Sequence, residues 1–143
     1  MNKKVSDVLL RKSAHLISVT PGTSVIDALK IMADKNIGSV VVIGDGVYQG
    51  IITERDYSRK VVLKGRSSTE TKVSEIMSSG LPTVKPDDTI EHCMQLMSDK
   101  NIRYLPVFEK EIIVGIISIN DVVKETILSQ EETITHLRDY MHS

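Results

Sequence analysis

Gly50-Ile51-Ile52-Thr53-Glu54-Arg55-Asp56 returns 65 residues later as Gly115-Ile116-Ile117-Ser118-Ile119-Asn120-Asp121. The likeness runs upstream without a gap. Val19 and Pro21 map to Val84 and Pro86, Met32 to Met97, and Asp34-Lys35-Asn36-Ile37 to Asp99-Lys100-Asn101-Ile102. Between residues 19–57 and 84–122, 12 of 39 positions are identical, and Ser24/Thr89, Val25/Ile90, Ile31/Leu96 and Thr53/Ser118 are conservative. A further echo sets Lys4-Val5-Ser6-Asp7-Val8-Leu9 against Lys72-Val73-Ser74-Glu75-Ile76-Met77 at an offset of 68, so the connecting loops differ in length. The chain is two copies of one unit of about 60 residues, and a unit that small buries little apolar surface alone. Two copies packed as a single module are the expectation.

Each copy reads alike. A short helix is expected from Ser6 or Ser74, whose hydroxyl can cap free N–H groups. Extended pieces, Leu16–Thr20 and Leu81–Lys85, run into Pro21 and Pro86, which favour a turn. An amphipathic helix follows, with Val25, Ala28, Leu29, Met32 and Ala33 on one face, and Ile90, Cys93, Met94 and Met97 in the second copy. Two apolar strands then flank Gly44-Asp45-Gly46, a hairpin signal, or Glu109-Lys110-Glu111. A helix starts near Glu54 and again near Ile119. The order is β-α-β-β-α twice, an α/β (α+β) fold: copy 1 over 5–64, a polar loop over 65–72, copy 2 over 73–128, and a helical extension over 129–143. The last helix is expected to run from about Asn120 to about Tyr140, and along it Ile127, Ile134 and Met141 are seven apart with Leu137 between, a partial heptad seam. It covers either the module's own core or a second subunit.

Composition narrows the function classes. Of 143 residues, 41% are hydrophobic and 26% charged, which excludes a disordered or collagen-like chain. Apolar runs are too short to span a bilayer, and Asp7 interrupts the apolar stretch after Met1-Asn2-Lys3-Lys4, so no signal peptide is read. Eighteen basic against 19 acidic residues, and only 3% aromatics, argue against nucleic acid as a partner. The single cysteine permits no intramolecular disulfide, and the chain reads as cytoplasmic.

The paired units, carried by Val19-Thr20-Pro21 with Ser24–Leu29, Val84-Lys85-Pro86 with Thr89-Ile90, and the two stretches quoted first, resemble tandem CBS domains, also called a Bateman module. The chain is similar to the stand-alone CBS-pair proteins of bacteria. The resemblance covers Val5 to about Leu128 and leaves no room for a catalytic domain, so no enzyme is expected.

G-x-x-[ST]-x-x-D occurs twice, ending at Asp56 and at Asp121. A helix N-terminus after the hydroxyl residue suits a phosphate, and the Asp can accept from a ribose diol. The same spacing is also nearly a capping box. The resemblance implies adenine-nucleotide clefts between the copies. One would join Thr53, Arg55 and Asp56 to Thr83, Ile102, Arg103, Tyr104 and Leu105. The other would join Ser118, Asn120 and Asp121 to Ser18, Ile37, Gly38, Ser39 and Val40. Backbone near Ser39 and Tyr104 would read the adenine edge, and Val19 and Val84 would press on its face. The first cleft gathers Arg55 and Arg103, with Arg59 and Lys60 a turn on, and should prefer more phosphate. Asp88, in place of Thr23, runs against that. The second should be weaker or take a smaller ligand.

AMP, ATP, NAD(H) and S-adenosylmethionine all fit this pattern, and no other cofactor is required. The resemblance also implies a homodimer and a regulated protein partner that the sequence does not identify. The alternative is a ligand-free interaction scaffold in which Asp56 and Asp121 only cap helices. His15, His92, His136 and His142 show no metal spacing. Cys93 reads as core packing, with a reactive thiol as the remote option.

Overall fold

The computed structural model describes residues 3–12 and 15–142, with the side chains of Thr133, His136, Tyr140 and His142 outside the description. In chain order the elements are α1 (Val5–Lys12), β1 (Ser18–Val19), α2 (Val25–Lys35), β2 (Ser39–Gly44), β3 (Val47–Thr53), α3 (Glu54–Tyr57), α4 (Val73–Ile76), α5 (Ile90–Lys100), β4 (Tyr104–Glu109), β5 (Ile112–Ser118) and α6 (Ile119–His142). A π-helical turn, Ser58–Val62, continues α3. The fold is mixed α/β with small sheets.

The recurring Asp-Lys-Asn-Ile has a backbone explanation. Asn36 and Asn101 adopt the left-handed conformation (φ 54° and 53°) that ends α2 and α5. The next N–H closes each end, Ile37 to the Met32 carbonyl at 2.9 Å and Ile102 to that of Met97 at 3.1 Å. Lys35 and Lys100 lie in the last turns, where a cation suits the dipole. Ser24 and Thr89 cap the opposite ends, accepting from the N–H groups of Asp27 (3.2 Å) and His92 (3.1 Å).

Each hairpin is antiparallel in matching register, Ser39 opposite Thr53 and Tyr104 opposite Ser118, with a bulge after Val42 and after Val107. Asp45 and Gly46, both at positive φ, make the two-residue turn that the twist of paired strands favours. β1 pairs in parallel with β2, and Val84 likewise with Val107.

The compact units cut across the repeats. One spans Leu16–Leu81; the other joins the segment before Leu16 to the segment from Pro82 onward. The leading helix of each copy therefore packs with the other copy's strands. The same backbone bonds dock both helices. Val5 N–H reaches the Asp88 carbonyl (2.9 Å) and Ser6 that of Pro86 (2.9 Å), while Val73 reaches Thr23 (2.9 Å) and Ser74 reaches Pro21 (3.3 Å). Neither Ser6 nor Ser74 caps its helix. Both sit inside the first turn, and the capping falls to the next carboxylates: Asp7 accepts from the Lys4 N–H (3.0 Å) and Glu75 from that of Lys72 (2.7 Å). The Lys72 N–H, with the Arg66 guanidinium at 2.6 Å, holds the Glu75 carboxyl below the usual range. The 65–72 loop is pinned to its own unit, since the Thr71 and Ser68 carbonyls accept from Val25 and Ile26 at the start of α2.

In the Leu16–Leu81 unit the core gathers Val25, Ala28, Met32, Val40, Val42, Ile52, Val73 and Ile76. In the other it gathers Val5, Val8, Ile90, Cys93, Met97, Leu105, Ile117 and Val122. Ala33 and Met94, expected on the buried faces, are exposed, because each lies about 100° round the helix from the buried line at Met32 and Cys93. The Glu125 carboxylate is buried and takes two bonds from Arg11 of α1. The seam on α6 does not cover its own core: Ile127, Ile134, Leu137 and Met141 are 50%, 49%, 59% and 79% exposed.

Glycine at two equivalent positions admits the exchanged segments. A Cβ on Gly50 would lie 2.7 Å from the Ser78 carbonyl oxygen, and one on Gly115 would lie 2.8 Å from Leu9 Cδ2. The Ser78 carbonyl is fixed, because Ile51 and Ser78 exchange both backbone bonds (3.0 and 2.8 Å), whereas the Leu9 tip can rotate. Gly50→Ala is expected to cost about 1–3 kcal/mol by overpacking, and Gly115→Ala clearly less. Urea unfolding of the two variants tests the order, and equal losses would sink the explanation.

Candidate functional site

Where β3 runs into α3, Thr53 and Asp56 form a reciprocal cap. The Asp56 N–H donates to Thr53 Oγ1 (3.0 Å), and Asp56 Oδ2 accepts from both the N–H and the hydroxyl of Thr53 (3.0 Å each). The other oxygen, Oδ1, accepts from Ser78 Oγ at 2.9 Å and pairs with Lys60 Nζ at 3.0 Å. A carboxylate offers about four lone-pair sites, so four donors leave Asp56, its side chain 8% exposed, without a free acceptor.

The end of β5 repeats the cap with fewer attachments. Ser118 N–H reaches Asp121 Oδ2 (2.8 Å) and Asp121 N–H reaches Ser118 Oγ (3.2 Å). Lys12 Nζ joins the same Oδ2 at 2.9 Å and also reaches the Ile116 carbonyl at 3.2 Å. Among the described residues nothing donates to Oδ1, and the side chain is 15% exposed. The two carboxylates, alike in sequence, differ in what they can still accept.

Within each unit the residues expected at one cleft sit beside residues expected at the other. Ser39 pairs with Thr53, and the Gly38 carbonyl accepts from the Glu54 N–H at 3.1 Å. Tyr104 pairs with Ser118, and the Arg103 carbonyl accepts from Ile119 at 2.8 Å. Ile37 and Ile102 pack at the edges of their cores. Val40 and Leu105 are fully buried, and Val19 and Val84 are core residues, so those side chains serve their own units. Ser18, Thr83, Arg103 and Asn120 are exposed, and Arg55 is half-buried. Among the described residues Arg55, Arg59 and Arg103 have no ion-pair partner. Lys60 is committed, to Asp56 and to the Ile76 carbonyl at 2.9 Å. Asp88 Oδ2 closes its own turn by accepting from the Lys85 N–H at 2.7 Å.

Sequence reasoning missed Ser78 and Lys12. Both stand just beyond the echoed stretches, on segments that dock across the repeats, and only the exchange of those segments brings them to the carboxylates. Lys60 could have been paired with Asp56 from its i, i+4 spacing.

Cys93 is fully buried, and burial pushes its thiol up to about 11, helped by the nearby charge of Asp88. The neutral thiol is the form that the fold favours. Among the described residues no group of three His, Cys, Asp or Glu could hold a metal, and no helix is long and apolar enough to cross a membrane. The side chains of His136 and His142 lie outside the described residues.

Two small sheets, two exchanged helices and two capped strand ends make one structural unit built twice. A family model for the CBS domain matches residues 5–62 and 73–128, and the chain belongs to that family as a tandem pair. A CBS-domain protein of Burkholderia ambifaria is 40% identical with a TM-score of 0.84, over 90% of this chain and 96% of that one. The CBS domain-containing protein YhcV of Bacillus subtilis is 30% identical over 96% of this chain and 97% of its own length. The CBS domain pair of protein MJ0100, 26% identical with a TM-score of 0.77 over 88% of this chain and 97% of that one, was solved with 5′-methylthioadenosine and S-adenosylmethionine.

Without ligand, Asp56→Ala should cost about 1–3 kcal/mol, since it removes a cap, leaves the Ser78 hydroxyl without its acceptor and leaves Lys60 only the Ile76 carbonyl. Asp121→Ala should cost about 1 kcal/mol, since it removes a cap and an ion pair to the part-exposed Lys12 that adds little. Chemical denaturation checks the difference. Cys93 should resist alkylation in native protein at pH 8 and react once unfolded. Its folded pKa is raised, so its contribution to stability is complete below pH 9 and is lost as pH rises toward 11. Rapid alkylation of folded protein would contradict this.

Proposed function

We propose that this protein is a non-catalytic, ligand-sensing regulatory module of the cytoplasm. It binds an adenosine-containing ligand (AMP, ATP, NAD(H) or S-adenosylmethionine) between its two copies and signals, as a homodimer, to a protein partner. The observation that carries the reading is the strand-end cap built twice, at Thr53–Asp56 and Ser118–Asp121, each at a helix start suited to an anion. The adenosine compounds bound by the CBS pair of MJ0100 support the ligand class.

In this reading Ser118, Asn120 and Asp121 act with Ser18, Ile37, Gly38, Ser39 and Val40. Thr53, Arg55 and Asp56 act with Thr83, Ile102, Arg103, Tyr104 and Leu105. The open Oδ1 makes Asp121 the carboxylate that can take a ribose diol without giving up an internal bond. A ribose at Asp56 must displace Ser78 or Lys60, so that site leans on Arg55 and Arg103 and on phosphate. The ligand regulates by binding one conformation better than another.

The saturated Asp56 favours a second reading, an interaction scaffold whose aspartates only cap helices. Thermal unfolding with AMP, ATP, NAD and S-adenosylmethionine separates the two. A ligand at a hundredfold its dissociation constant stabilises by about 2.7 kcal/mol. The expected result is a shift with at least one ligand that Asp121→Ala abolishes and Asp56→Ala reduces less. A folded protein that shifts with none of them is the scaffold.

A further inference from the structure

α6 has two faces. Val122 and Glu125 are buried in its own unit, and Glu132 lies 4.0 Å from Lys3. The other side carries Val123, Ile127, Ile134, Leu137 and Met141, every one about half exposed or more. Their spacings, four, seven, three and four, are those of a heptad seam, and Asn120 and Gln130 fill its remaining positions. From Val123 to Met141 the seam is about 27 Å long at 1.5 Å per residue.

The flanking charges indicate what covers it. The residue after each apolar or polar knob at Val123, Gln130 and Leu137 is Lys124, Glu131 and Arg138, all exposed. Among the described residues none of the three has an ion-pair partner. In an antiparallel helix pair this flank meets itself. The order plus, minus, plus is self-complementary when the helices are offset by one heptad, with each Glu131 facing a cation of the other helix. A parallel pair would instead set this flank against Thr126, Thr133 and Tyr140, which carry no charge. A twofold contact requires such a self-complementary pattern.

We propose that the exposed seam of α6 pairs antiparallel with α6 of a second copy of this chain. This deepens the homodimer part of the reading above and is independent of its nucleotide part. The test is sedimentation equilibrium of the full chain and of three variants, with circular dichroism to confirm folding. Ile134→Lys/Leu137→Lys, changed only at exposed positions, should dissociate. Glu131→Lys and Lys124→Glu/Arg138→Glu should each self-associate about tenfold more weakly, since like charges then face each other, and an equimolar mixture should regain wild-type association. If the wild type dimerises and all variants dimerise equally well, the seam is not the contact and the homodimer reading stands. A wild type that stays monomeric at about 100 μM, a concentration above the dissociation constants of ordinary dimers, overturns both, while the thermal-shift result with nucleotides is unaffected.

Discussion

Each unit depends on a core that one repeat does not complete: beside its own amphipathic helix, each small sheet packs against the leading helix of the other repeat. α1 brings Val5 and Val8 into the core around Ile117, and α4 brings Val73 and Ile76 into the core around Ile52. The close approach needs a strand position without a side chain, which is why glycine stands at both 50 and 115. Neither repeat completes a core from its own residues, so the two copies depend on each other for stability.

The exchange also reaches the strand ends. Ser78, just past α4, holds Asp56, and Lys12, at the end of α1, holds Asp121. A ligand that competes for either carboxylate therefore competes with a segment belonging to the other repeat. Binding at a strand end is in this way tied to how the exchanged segment docks. On the reading proposed above, a ligand that displaced the exchanged segment would favour the arrangement in which that segment is released.

Much of this was legible in the sequence. The 65-residue offset gave the order of elements and their equivalence, and the structure adds the register, Ser39 with Thr53 and Tyr104 with Ser118, at equivalent places in the two copies. The capping box was legible from the Thr53–Asp56 and Ser118–Asp121 spacings for the same reason: it is local. The exchange was not, since a repeat shows that two helices are equivalent without showing which sheet each one joins. The docking bonds from Val5 to Asp88 and from Val73 to Thr23 are backbone contacts that leave no side-chain signature. Ser6 and Ser74 misled because a hydroxyl near a helix start suits a cap, yet the carboxylates one residue on reach the free N–H groups instead.

The inequality of the two strand ends comes from two differences: Ser78, which donates to Asp56, has Leu10 as its equivalent under the 68-residue offset, and one charge is reversed. Lys60 and Glu125 are equivalent under the 65-residue offset, each four residues past its aspartate. A lysine there can fold back, and Lys60 does, filling the last acceptor of Asp56 and bridging to the Ile76 carbonyl. A glutamate in that place cannot pair with an aspartate. Glu125 turns inward instead and is satisfied by Arg11 from the exchanged helix, which leaves an oxygen of Asp121 open among the described residues. A buried carboxylate held by an arginine from another segment is costly to leave unpaired, so the same substitution that opens the strand end also locks α1 onto its unit. Duplication alone yields two equal strand ends; this exchange of sign, with the hydroxyl of Ser78 on one side only, makes one of them a structural brace and leaves the other with an acceptor to spare.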